Sequence, residues 1–176
     1  MIKTNIFLVG PMGAGKSTIG KRLAKTLNKT FLDSDHVIEQ RTGVNIPTIF
    51  DIEGEAGFRK RESEIIDELT DKKDIVLATG GGAILNDENR QHLMSRGVVI
   101  YLRTSVSQQV DRTKHDRNRP LLSTDDPEKK LTELMHIRAP IYEEVADIIV
   151  DTDSKHTNQV VRNIQKRLQE YADNSL

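Results

Sequence analysis

Five short runs of apolar residues punctuate this chain: Ile6–Val9, Thr30–Leu32, Ile75–Ala78, Val98–Leu102 and Ile148–Val150. They are continuous rather than alternating, so each reads as a strand covered on both faces, as in a parallel sheet. Between them the spacing turns helical. Ile19, Leu23 and Leu27 recur at every fourth residue, and Ile65, Ile66 and Leu69 form a second stripe. Val160, Val161, Ile164, Leu168 and Tyr171 make a third behind capping candidates at His156, Thr157 and Asn158. Such alternation predicts a doubly wound α/β sheet, whose ligands gather at the carboxyl ends of the strands.

The 176 residues suit one domain with a real core, and the chain shows no repeat, low-complexity tract or linker. A net charge of -1 with 30% charged residues gives no dominant field for nucleic acid, and aromatics at 4% offer no stacking platform for bases. There is no cysteine, so disulfides and thiolate metal sites are excluded. No apolar run approaches the ~20 residues of a membrane span, and the last residues carry no lipidation box. A soluble cytoplasmic protein that binds neither nucleic acid nor membrane is expected.

The residues just after each strand carry the chemistry. After the first comes Gly10-Pro-Met-Gly-Ala-Gly-Lys-Ser17, a full match to G-x-x-x-x-G-K-[ST], followed by a helix-like segment from Thr18 to Leu27. The glycines let backbone N–H groups wrap a phosphate, and the helix N-terminus adds partial positive charge. Lys16 then reaches the β- and γ-phosphates and the Ser17 hydroxyl can ligate Mg²⁺. After the second strand stands Asp33-Ser34-Asp35. One carboxylate could serve the Mg²⁺ water shell and the other an acceptor hydroxyl; alternatively Asp35 caps a helix from His36 to Arg41. After the third stands Thr79-Gly80-Gly81-Gly82, either a backbone cradle for a ligand or a flexible turn.

Two basic segments differ in kind. Phe58-Arg59-Lys60-Arg61-Glu62 lies in a helical stretch and reads mostly as a solvated face. The segment from Arg112 to Pro120 packs Arg112, Lys114, His115, Arg117 and Arg119 into eight positions with no periodic apolar face. It is a loop that closes over phosphates or a plain exposed one. Arg138 precedes the helix-disturbing Pro140, where a side chain can be aimed into a cleft.

Taken in order, the loop Gly10–Thr18, Asp33-Ser-Asp35, Phe58-Arg59 with Glu62, Gly80-Gly81-Gly82, Arg119-Pro-Leu-Leu122 and Arg138-x-Pro-x-Tyr142 resemble the motifs of the shikimate kinases, from about residue 5 to residue 173. That resemblance implies a single P-loop kinase domain over residues 1–176, three-layered, with a five-stranded parallel sheet in order 2-3-1-4-5. It also implies an acceptor-binding region near residues 35–62, a mobile lid near 113–124, and a monomer. The reaction implied is transfer of the γ-phosphoryl of ATP to the 3-hydroxyl of shikimate with Mg²⁺. Gly13, Ala14, Gly15, Lys16, Ser17, Thr18, Arg119 and Lys155 would contact ATP. Asp35, Arg59, Gly80, Gly81, Gly82 and Arg138 would hold shikimate, and Ser17 and Asp33 the metal. Lys16, Asp35 and Arg119 would carry the catalysis. The rivals are another small-molecule kinase of this fold, such as a gluconate kinase, and a nucleotide-dependent switch with no acceptor.

Overall fold

The five apolar runs assemble into one parallel sheet in a computed structural model that describes residues 5–116 and 118–176. Its strands are β1 (Ile6–Val9), β2 (Thr30–Asp33), β3 (Ile75–Ala78), β4 (Val98–Arg103) and β5 (Ile148–Asp151), ordered β2-β3-β1-β4-β5 as expected. The helices are α1 (Lys16–Thr26), α2 (Ser34–Thr42), α3 (Ile46–Thr70), α4 (Asp87–Arg96), α5 (Val106–Thr113), α6 (Pro127–Val145) and α7 (Thr157–Asn174), with short 3₁₀ turns at Ala83–Leu85 and Pro120–Leu122. Among the described residues no helix is long and apolar enough to cross a membrane.

The strands read as apolar on both faces because the sheet separates two cores. Phe7 and Val9 of β1 pack with Leu77, Tyr101, Ile66 and Tyr142 on the face covered by α3, α4 and α6. Ile6 and Leu8 point the other way, onto Leu23 of α1 and Ile164 of α7. Alternate residues of one strand thus feed opposite layers, as the pleat requires. The central position of β1, hydrogen-bonded to β3 on one side and β4 on the other, plants the loop after Val9 at the middle of the carboxyl edge.

Close approach rather than backbone freedom fixes Gly97, which enters β4. A Cβ there would lie 2.9 Å from the Asn5 carbonyl oxygen and 2.5 Å from the Phe7 ring. That carbonyl accepts from Val98 N at 2.9 Å, and the Asn5 side chain ties itself to Lys72 O, so neither can give way freely. Gly97→Ala is expected to lower unfolding free energy by about 1–3 kcal/mol, the usual cost of overpacking, in denaturant titrations. An unchanged midpoint would show that this corner relaxes.

The structure departs from the sequence expectation at two places. Pro140 does not end its helix: α6 runs on to Val145, anchored by buried Leu131, Tyr142 and Val145, so packing outweighs one lost backbone bond. The basic segment is not all loop, since Arg112 and Thr113 close α5 with Thr113 buried. Arg117, one of its cations, lies outside the described residues.

Candidate active site

The phosphate loop is shaped before any ligand arrives. Gly13 and Gly15 hold left-handed backbone (φ 77° and 87°), a conformation that aims successive N–H groups into one concavity. Gly15 stands at the N-cap of α1 with no side chain over its first turn, so the free donors there face the cleft. Ala14 between the glycines is fully buried and anchors the loop in the core under α1. Lys16 Nζ folds back onto the loop, donating to Gly10 O at 2.7 Å and Pro11 O at 2.8 Å. Burial above all, and the nearby Arg119, push its ammonium down to about 7 against the opposing pull of Asp35 and Asp33.

The two aspartates divide their work differently from the sequence expectation. Asp33, the last residue of β2, is the helix cap: its Oδ1 accepts from Asp35 N at 3.0 Å and His36 N at 3.2 Å. Its Oδ2 accepts from Ser17 Oγ at 2.5 Å. Asp35 is therefore relieved of capping. Its Oδ1 is buried without a hydrogen-bond partner and aimed across the cleft at Gly80. Burial first, then the Asp33 charge, raises the Asp35 carboxyl, while Arg119, Lys16 and Arg59 counter them.

Steric need explains two of the three glycines, Gly80 and Gly82. Gly80 N donates to Ser34 Oγ at 3.2 Å, and Gly81 O accepts from Tyr142 O–H at 2.5 Å, so the turn is held from α2 and α6. A Cβ on Gly80 would sit 2.9 Å from Asp35 Oδ1 and 2.8 Å from Glu62 Oε2. One on Gly81 would sit 3.4 Å from Arg138 Nη1, and one on Gly82 would press into the Arg59 guanidinium. Gly80 and Gly82 thus make room for charged side chains from other elements, while Gly81 would accept a Cβ in ordinary contact with Arg138, and the backbone turn becomes the hub of the site.

Around that hub the protein gathers cations whose hydrogen-bonding capacity is unfilled. Arg138 is only 4% exposed, and both its Nε and the Nε of Arg59 are buried without partners. Buried guanidinium donors are costly to leave unpaired, which marks a place for an anion. The stretch that reads as a solvated face in the sequence splits: Lys60 and Arg61 are exposed, while Phe58 and Glu62 are buried and Arg59 is half-buried. Glu62 holds Arg59 in place, accepting from its Nη1 at 2.9 Å. The 59/62 spacing of one helical turn was the only sequence signal for that pair.

These groups line one continuous cleft. A cavity of about 390 Å³ is bounded by Gly13, Lys16, Ser17, Thr18, Asp33 and Asp35. A narrower one beside it opens between Met12, Phe50, Phe58, Arg59, Glu62 and Arg138. Asp35, Gly80, Gly81 and Arg119 border both. Arg119 reaches them from the segment after α5, its Nε 3.0 Å from Asp116 Oδ2. Arg112 belongs elsewhere: it donates to Gly13 O at 2.7 Å and to Thr152 O at 3.3 Å, tying the phosphate loop to the chain after β5. Lys155, in that chain, is exposed and borders neither cavity.

Hard oxygen donors at Ser17 Oγ and Asp33 Oδ2 lie on the phosphate side of the cleft, a donor set that suits Mg²⁺ carried in on a nucleotide. Among the described residues no group of three or more His, Cys, Asp or Glu side chains could cage a metal alone. The fit is to an ion that brings most of its own ligands.

The comparisons with known proteins agree on one family. The family model described as "Shikimate kinase" matches residues 12–169. The shikimate kinase of Methylococcus capsulatus is 57% identical over 162 residues, covering 92% of this chain and 90% of the relative. Among solved structures, a shikimate kinase from Acinetobacter baumannii in complex with shikimate superposes with a TM-score of 0.92 at 52% identity, over 98% of this chain and 94% of that one. A gluconokinase from Sinorhizobium meliloti has a TM-score of 0.61 at 16% identity over 98% of this chain and 95% of that one, a likeness of fold alone.

Proposed function

The chain belongs to the shikimate kinase family, and on that premise we propose how its residues carry out the reaction. It transfers the γ-phosphoryl group of ATP to the 3-hydroxyl of shikimate, giving shikimate 3-phosphate and ADP. The observation that carries the residue assignment is the hub at Gly80–Gly82, where a free carboxylate and two unfilled guanidiniums face one another beside the phosphate loop.

Arg59 and Arg138 bind the carboxylate of shikimate from two directions, a directional, charge-assisted pairing that an ammonium would imitate poorly. The glycine turn Gly80–Gly82 lies against the same part of the substrate, its free donors being those of Gly81 and Gly82 because the Gly80 N–H is given to Ser34 Oγ. Asp35, which stands where both cavities meet, accepts the hydrogen bond of the attacking hydroxyl and turns it toward the phosphate. Gly13, Ala14, Gly15 and Thr18 surround the phosphates with α1's N-terminal donors. Lys16 exchanges its two loop carbonyls for phosphate oxygens, and Arg119 enters from the lid near residues 113–124. Ser17 and Asp33 would hold Mg²⁺, which when bound neutralises charge on the phosphates. Both Asp33 oxygens are engaged, Oδ1 in the cap of α2 and Oδ2 with Ser17, so Asp33 would support the ion beside Ser17. Lid closure excludes water from the phosphoryl group. The working unit in this reading is a monomer. Lys155, in the chain after β5, would contact ATP from outside the two cavities.

A coupled ATP-consumption assay with shikimate, quinate, gluconate and nucleoside monophosphates tests this reading. Turnover is expected with shikimate; turnover with gluconate or a monophosphate and none with shikimate would replace it. In the same assay Arg59→Ala and Arg138→Ala should each raise the shikimate KM by on the order of 10-fold or more, the worth of one charged hydrogen-bonding partner. The ATP KM should change little, and Lys at either position should restore only part of the loss. An unchanged shikimate KM in both Ala variants would move the carboxylate elsewhere.

A further inference from the structure

Glu62 has more to do than hold an arginine. It is 1% exposed, and only its Oε1 has a partner, Arg59 Nη1. Its Oε2 is buried without one and points at Gly80, where Asp35 Oδ1, also unpartnered, arrives from α2. Two carboxylates thus share one water-poor corner of the cleft. The charges that face Glu62 come from three helices. Arg59 lies one turn back on α3 and is itself shared with Glu55 at 3.2 Å; Asp35 stands on α2; Arg138 comes from α6. Lys16 and Arg119 stand beyond, acting on Asp35. The glycine turn between them brings no charge. Burial outweighs the two guanidiniums, and with the help of Asp35 raises the Glu62 carboxyl to about 7.

A substrate carboxylate changes this balance in one direction only. Seated on Arg59 and Arg138, it takes over the two cations that keep Glu62 ionised, and it displaces water from the cleft. Left charged, Glu62 would join Asp35 and the substrate as a third carboxylate around two guanidiniums. We propose that Glu62 takes up a proton from solvent when shikimate binds, and that the neutral acid leaves the positive charge of Arg59 to the substrate carboxylate. The proton sits on Oε2, the oxygen without a partner, while Oε1 continues to accept from Arg59; it returns to solvent when product leaves. Glu62 is then a positioning residue that works through Arg59 and touches no reacting atom. The inference rests on the assignment of Arg59 and Arg138 to the shikimate carboxylate.

Calorimetric titration of the full chain with shikimate, at one pH in buffers of different ionisation enthalpy, counts the protons exchanged. Uptake of about half a proton is expected at pH 7, little at pH 6 and more at pH 8, because the free acid is about half protonated near 7. Since binding consumes a proton, shikimate affinity should fall as pH rises from 7 to 8, by at most about 10-fold. Glu62→Gln, which has the shape of the neutral acid, should still bind shikimate but lose that uptake and flatten the pH dependence. A purely structural role would alter affinity and leave the proton count alone. Uptake undiminished in Glu62→Gln would assign it to another group, Lys16 foremost, and overturn the proposal. So would buffer-independent heats in the parent, while leaving the substrate reading intact. Absence of any saturable binding would overturn both. Should Glu62→Gln not fold, infrared difference spectra of the parent decide the matter: a protonated-carboxyl band is expected on adding shikimate, and its absence refutes the idea.

Discussion

Lys16→Ala is expected to fold as the parent does and to transfer phosphoryl groups more slowly by on the order of 10²-fold or more. The fold has little use for this side chain. Its ammonium is pushed down to about 7 by burial, and among the described residues its hydrogen bonds go to Gly10 O and Pro11 O of its own loop. The loop itself is held by other means, the left-handed Gly13 and Gly15 and the buried Ala14. Removing the side chain therefore takes one donor from each of two loop carbonyls, and Pro11 O keeps the Ala14 N–H at 3.3 Å. The rate depends on Lys16 far more, because charge accumulates on the transferring phosphoryl group and Lys16 is poised to follow it. The coupled assay and a thermal unfolding transition, run on the same preparation, separate the two effects. A folded Lys16→Ala enzyme with parental turnover would sink the reading of this loop as catalytic.

How far the sequence reaches depends on whether a residue's role is local. Strand positions were legible because each strand is apolar on both faces, but the strand ends were not. Arg103 and Asp151 look like loop residues, yet they are register partners at the ends of β4 and β5 and form an ion pair at 2.6 Å, so each extends its strand. Helix α4 escaped notice for a related reason: of Asp87–Arg96 it buries only Asn89 and Leu93, too few for a stripe. In the site, the glycine-rich phosphate loop announced itself because its function is written in consecutive residues. The sequence points to Asp35 as the alternative cap, and only the backbone at Asp33, extended at φ -123° and ψ 120°, assigns that cap to Asp33 instead. Glu62 was read as part of a charged helix face because nothing local reveals that Gly80 and Arg138, distant in sequence, close over it. Arg112 opens the basic segment that the sequence offers as one loop, because a polar helix end and a polar loop look alike until a partner such as Gly13 O is seen.

Asp35→Asn should lower turnover with shikimate by roughly 10²-fold or more while ATP binding stays near that of the parent. The variant keeps the shape of the side chain and removes its charge. Were Asp35 the cap of α2, the same change would loosen the helix; Asp33 carries that duty through its Oδ1, so the cap survives. Stability should hold or rise slightly, since burial and the neighbouring Asp33 already work against the Asp35 charge. What is lost is the charge of a carboxylate whose Oδ1, at the junction of the two cavities, has no hydrogen-bond partner among the described residues and is free to accept from a substrate hydroxyl. An amide nitrogen placed there would instead donate toward Gly80 and Glu62 Oε2, turning an acceptor site into a donor site. Steady-state kinetics with shikimate varied at saturating ATP, then ATP varied at saturating shikimate, distinguish loss of the chemical step from loss of binding. A variant that unfolds more readily yet keeps parental turnover would return Asp35 to a structural part and leave the attacking hydroxyl without its acceptor in this cleft.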